Sequence, residues 1–95
     1  MAAVDIIVPL YNKEKTIRRT LESILAQTFS DWRTIIINDG SSDHSVKIVR
    51  QIEDSRIQII EQDNRGPGAA RNAGLRIATA PCVAFLDADD QWHPA

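Results

Sequence analysis

The stretch Val83-Ala84-Phe85-Leu86-Asp87-Ala88-Asp89-Asp90 runs an apolar tetrapeptide straight into a cluster of carboxylates. The apolar half reads as a buried strand, and the acidic half as the loop that leaves its carboxyl end. Carboxylates this crowded repel and raise one another's pKa, so they call for a counter-charge.

The same design recurs along the chain. Val4 to Val8 is a short β-branched run closed by Pro9, Trp32 to Ile37 is a second such run, and Ile57 to Ile60 a third. Cys82 to Leu86 is the fourth strand. Between the first two runs, Ile17, Leu21, Ile24 and Leu25 recur at helical spacing, with Asn12 as a candidate N-cap. The Asn38-Asp39-Gly40-Ser41-Ser42 turn leads to a second helix, capped by Ser41 or Ser42, with Val46, Val49 and Ile52 inward. Asn64-Arg65-Gly66-Pro67-Gly68 opens a third helix, where Pro67 is acceptable in the first turn. Ala70, Ala73, Gly74 and Ile77 give that helix a narrow inner face. Strands that alternate with helical crossovers run parallel, and near-continuous apolar strands suit a sheet covered on both faces. The expected fold is an open, mainly parallel, Rossmann-like α/β sheet flanked by helices, in a single domain over residues 1–95.

Bulk properties exclude several classes. With 95 residues, 43% hydrophobic and 25% charged, the chain is of ordinary globular composition. Its 11 basic and 13 acidic residues give a net charge of -2, with no basic excess to attract nucleic acid. Cys82 has no disulfide partner within the chain and, in its apolar run, is expected to be buried. No apolar run approaches the ~20 residues of a membrane span, and no secretory pattern opens the chain. The expected setting is cytoplasmic, with association to the inner face of the membrane in a longer protein.

Open parallel sheets bind ligands beyond the carboxyl ends of their strands. Those ends here are Pro9-Leu10-Tyr11-Asn12, Asn38-Asp39-Gly40, Asn64-Arg65-Gly66 and Asp87-Ala88-Asp89-Asp90. A hard divalent cation, shared with a phosphate-bearing ligand, would supply the missing counter-charge. The blander readings are a solvated acidic loop, a turn-shaping Asp39 and a solvated Arg71. A calcium loop is disfavoured because its alternating Asp/Asn pattern, central Gly and terminal Glu are absent. Arg65 to Arg71 fails as a dinucleotide fingerprint, since Arg71 stands at the last glycine and the segment follows the third strand.

Five pieces in series, IIVPLYNKEKTI, LESILAQTFSDW, IIINDGSSD, NRGPGAARNAGL and VAFLDADDQW, closely resemble the nucleotide-binding half of a family 2 glycosyltransferase. The resemblance implies a GT-A fold and transfer of a sugar from a nucleotide-sugar donor, usually with inversion. It implies that Tyr11 stacks on the base, with the Pro9 carbonyl beside it. Asp39 would accept the base imide proton, which favours a UDP-sugar, and Arg71 would hold the base or ribose edge. Asp87 and Asp89 match the family's Asp-x-Asp motif: Asp87 would meet the ribose or a metal-bound water, and Asp89 would bind Mn²⁺ or Mg²⁺ directly. Asp90 would stand behind them.

The same resemblance implies a saccharide or lipid-linked acceptor, as in polysaccharide biosynthesis of the cell envelope. It places the acceptor site and the catalytic base beyond Ala95, so this stretch by itself would not turn over, and His93 is read as structural or solvated. The apolar fourth strand is expected to seek a second copy of the chain. Two other α/β classes compete. A nucleotidyltransferase would need a Gly-rich basic loop where Leu10-Tyr11-Asn12-Lys13 stands. A signalling receiver would need an acidic pair after the first strand and a phospho-acceptor Asp after the third.

Overall fold

A computed structural model describes residues 2–92 of the chain. Its elements alternate without exception: β1 (Val4–Leu10), α1 (Ile17–Leu25), β2 (Trp32–Asp39), α2 (Ser45–Arg50), β3 (Ile57–Gln62), α3 (Pro67–Ile77) and β4 (Cys82–Phe85). The strands form one sheet in the order β3-β2-β1-β4, and every neighbouring pair is parallel. Strand order therefore reverses beside β1, between a crossover to β2 on one side and the late arrival of β4 on the other.

Alternation along the central strands feeds two cores. Ile6, Val8 and Leu10 of β1 and Trp32 and Ile36 of β2 pack with Ile17, Leu21 and Ile24 of α1 and Val49 of α2. Ile35 and Ile37 face the other way and meet Ala70 of α3, with Ile60, Ala73 and Ile77 around them. The small face of α3 allows close approach: a Cβ placed on Gly74 would stand 2.5 Å from Cγ2 of Ile7.

The end of the sheet away from the strand carboxyl termini is locked by an ion pair. Asp5, fully buried, receives Arg33 Nε at 2.9 Å and Nη2 at 3.0 Å, and also the Thr79 and Ala80 amides at 2.7 and 3.0 Å. One carboxylate thus joins β1, β2 and the α3–β4 turn.

Several expectations are corrected. β1 passes through Pro9 to Leu10, and β2 and β3 run on to Asp39 and Gln62. Pro9 is tolerated because of its side of the strand. The Ile7 carbonyl accepts Leu86 N–H at 3.0 Å, and Pro9, two residues on, faces the same side after β4 has ended. No ladder bond is lost there, and the Pro9 carbonyl is left without a strand partner. Asn12 does not cap α1, which begins after Thr16. Instead it takes a left-handed conformation (φ 49°) and its Oδ1 receives the Ser42 and Asp43 amides. Neither Ser41 nor Ser42 caps α2: Asp43 Oδ1 receives the Ser45 amide at 2.9 Å. Cys82 is exposed rather than buried, because β4 is an edge strand with Val83 and Phe85 also open to solvent. The expected coverage of both faces holds for β1 and β2 and fails at β4.

Candidate functional site

Beyond the carboxyl ends of β1, β2 and β4 lies a cleft of about 520 Å³. Pro9, Tyr11, Asp39, Arg71, Asp87 and Asp89 all line it, together with Lys13, Asn64, Gly66, Pro67 and Ala70. The sites picked out along the sequence therefore converge in space. Asp90 does not line the cleft; its Oδ1 accepts the adjacent Gln91 amide at 2.8 Å. His93 lies outside the described residues.

Tyr11 stands at the mouth with 47% of its surface exposed. Its backbone is held by stitching between two loops. The Asn12 amide donates to Ser41 Oγ at 3.0 Å, Lys13 N–H to Ser45 Oγ at 2.8 Å, and Glu14 N–H to Asp43 Oδ2 at 3.1 Å. An exposed ring on a fixed backbone is a ready stacking platform.

Asp39, at the end of β2, is only 3% exposed. Its Oδ1 receives Gln62 Nε2 at 2.9 Å and the Arg65 amide at 2.8 Å, and its Oδ2 receives the Gly66 amide at 2.9 Å. Burial alone would push this carboxyl up; the Gln62 side chain and the Arg65 and Gly66 amides outweigh it and hold the carboxyl below its usual range. Asp39 is thus an ionised, acceptor-only group. An ionised carboxylate offers roughly four acceptor sites, so these donors leave one for a ligand. Gly66, whose N–H meets Asp39, sits at φ 94°, a conformation that glycine adopts without strain.

The acidic loop is fixed from below. Leu86 and Ala88 are buried while Asp87 and Asp89 project into the cleft. The Ala88 carbonyl accepts the Thr16 hydroxyl at 3.0 Å and lies 2.9 Å from that of Thr20, both from α1 or its first turn. Asp87 Oδ1 lies 3.4 Å from the Arg71 guanidinium, and Asp89 Oδ2 lies 3.4 Å from the Lys13 ammonium. These side chains are the counter-charges of the acidic loop in this structure.

Among the described residues no group of three or more His, Cys, Asp or Glu side chains converges to hold a metal ion. Asp87 and Asp89 nevertheless suit a hard divalent cation: both are exposed, and both offer carboxylate oxygens on the cleft wall. Further oxygens would have to come from a ligand or water.

Sequence reasoning missed Lys13 and the donors to Asp39. Lys13 had a signal, a cation two residues beyond the candidate stacking tyrosine at a strand end. Gln62 had none, because its meeting with Asp39 depends on the register that sets the two side by side.

The chain has close counterparts among known proteins. Over residues 5–95 the chain matches the family model described as glycosyl transferase family 2. It is 40% identical over 90 residues to WfgD of Escherichia coli, named UDP-Glc:alpha-D-GlcNAc-diphosphoundecaprenol beta-1,3-glucosyltransferase, covering 94% of this chain and 36% of that one. It superposes with a TM-score of 0.90 on S. aureus TarS 1-349 in complex with UDP-GlcNAc, at 31% identity over 98% of this chain and 28% of that one. It also superposes with a TM-score of 0.88 on the mannosyltransferase PcManGT of Pyrobaculum calidifontis in complex with GDP-Man and Mn²⁺, at 30% identity over 95% of this chain and 28% of that one. The chain spans about a third of the length of these relatives. The four-stranded parallel sheet is the GT-A fold of these glycosyltransferases, and the chain belongs to glycosyl transferase family 2.

Proposed function

We propose that the cleft binds the nucleoside-diphosphate part of a sugar donor, a UDP-sugar by preference, together with Mn²⁺ or Mg²⁺. In this reading the chain is the donor-binding part of an inverting glycosyltransferase acting on a saccharide or lipid-linked acceptor. The observation that supports it most is the convergence of an exposed aromatic, an acceptor-only carboxylate and a pair of cation-balanced carboxylates on one cleft. That WfgD acts on a diphosphoundecaprenol-linked acceptor, and that TarS and PcManGT were captured with nucleotide sugars, supports the same class of substrate.

Each residue has a task that follows from its chemistry. Tyr11 stacks on the base, and Pro9 offers its free carbonyl beside it. Asp39 accepts a base N–H and rejects a ring nitrogen that carries only a lone pair. Uracil N3–H satisfies it; the N3 of cytosine and the N1 of adenine, being acceptors, do not. Arg71 steadies the ribose or base edge, and Asp87 meets the ribose. Asp89 and Asp87 would hold the cation, which when bound supplies Lewis-acid stabilisation of the departing diphosphate.

No described helix is long and apolar enough to cross a membrane. A lipid-linked acceptor would be met at the inner membrane face, in the cytoplasm. A second reading has an observation of its own. Guanine also carries a ring N–H, and PcManGT holds GDP-Man, so Asp39 suits a guanosine donor as well. Calorimetric titration with UDP, GDP, CDP and ADP, with and without Mn²⁺, decides. Binding of UDP ahead of GDP, dependent on Mn²⁺, is expected. CDP or ADP binding as tightly as UDP overturns the proposal.

A further inference from the structure

The two ion pairs at the cleft wall share a pattern. Asp87 and Asp89 leave one loop, yet each meets a cation from a different element, Arg71 from α3 and Lys13 from the β1–α1 loop. All four side chains are about half exposed, and both separations are 3.4 Å. Pairs this long and wet are weak and easily exchanged. The Lys13 backbone, in contrast, is anchored, since its N–H donates to the buried Ser45 hydroxyl. A flexible stem on a fixed anchor lets the ammonium change partner without moving the chain. Lys13 also lines both the main cleft and the adjoining hollow of about 330 Å³ beside Lys15 and Asp43, so it has room to move.

We propose that Lys13 is a donor-diphosphate residue held in reserve. With Arg71 it neutralises the cleft carboxylates in the resting protein, and it passes to the diphosphate when a divalent cation claims those carboxylates. This rests on the nucleotide-sugar reading above and assigns Lys13 a task within it.

The charges require coupled binding. A cation alone must displace Lys13, whose ammonium then loses its ion pair with Asp89. A diphosphate alone meets two carboxylates and an ammonium already engaged. With both present, the carboxylates have the cation and the Lys13 ammonium has the diphosphate as opposite neighbours. Such coupling is reciprocal: Lys13 must oppose cation binding in the empty cleft and favour diphosphate binding in the cation-loaded one.

The test measures Mn²⁺ binding without nucleotide, by electron paramagnetic resonance of free Mn²⁺, and UDP binding at saturating Mn²⁺, by calorimetry. Both are run on the unsubstituted protein, Lys13→Met and Lys13→Arg. Lys13→Met is expected to bind Mn²⁺ alone about two- to fivefold more tightly and UDP about tenfold or more weakly. Lys13→Arg restores most of both. Effects of opposite sign on the two ligands are not what a general loosening of the loop produces. Unchanged Mn²⁺ affinity, or a loss of both affinities together, overturns the exchange. If the unsubstituted protein binds no UDP with Mn²⁺, the donor-site reading fails and takes this inference with it. Mn²⁺-dependent UDP binding indifferent to Lys13→Met sinks the exchange alone.

Discussion

Asp39 and Asp89 are both cleft aspartates in opposite settings, and the proposed function gives them opposite tasks. Asp39 is buried under three donors, so its charge is set by the protein before any ligand arrives. Removing it deletes a charged acceptor and strands the Arg65 and Gly66 amides. For Asp39→Ala, UDP affinity is expected to fall by about 1.5–3 kcal/mol, with the already poor CDP binding little changed. Competition titration of UDP against CDP checks this; equal losses for the two nucleotides would point to collapse of the loop. Asp89 is exposed, and among the described residues its ion-pair partner is Lys13. In Asp89→Asn the Mn²⁺-dependent part of UDP binding should largely vanish while the metal-free part stays. Identical isotherms for variant and parent would remove Asp89 from the metal role.

At the scale of elements, α3 packs closely against β1 at Gly74. The missing Cβ of Gly74 is what lets the helix settle on Ile7, whose β-branched Cγ2, held close to the main chain, would meet an added methyl first. Gly74→Ala is expected to cost about 1–3 kcal/mol through overpacking, despite the better helix propensity of alanine. Thermal unfolding of Gly74→Ala, of Ile7→Ala and of the double variant reads this directly: with both γ carbons of Ile7 gone, the added methyl should cost less in the Ile7→Ala background than in the parent. The elements themselves were legible in the sequence, because β-branched runs and helical apolar spacing are local signals, and the cleft residues were legible because strand ends are where such sheets bind. The caps were not. Asn12, Ser41 and Ser42 carry cap chemistry, but each spends it on the facing loop, which only the sheet order brings near. Cys82 was misjudged for the same reason, since an apolar run does not announce whether it will lie at the centre or the edge.

For the whole molecule, acid is the natural denaturant. Asp5, Asp39 and Asp43 are each pushed up by burial and pulled down further by hydrogen-bond donors, and the guanidinium and amide of Arg56 hold Asp54 down; all titrate below the usual 3.8. A depressed folded value means the stabilisation is present above the unfolded pKa and is lost as pH falls through the folded one. Melting temperature should therefore stay level from neutrality to about pH 5 and drop steeply below about pH 4. Asp5→Asn should flatten part of that drop while melting lower at neutral pH, where Arg33 loses its charge partner. A melting curve with no acid slope would contradict the assignment.

Among the described residues, β4 ends the sheet with no strand on its outer side, and Val83 is 38% and Phe85 45% exposed. Such an edge invites a second strand, and the expectation is a concentration-dependent dimer through β4. Light scattering across a dilution series, with Phe85→Lys as the disrupting variant, tests it. A monomer at every concentration refutes it.

One consequence of the edge position concerns handling rather than binding. The chain's single thiol, Cys82, is exposed at the amino end of β4, whereas the cleft lies at the carboxyl end of the sheet. Maleimide coupling at Cys82 therefore gives a uniformly oriented protein on a biosensor chip, anchored by the foot of the sheet, with the cleft turned outward to the flow.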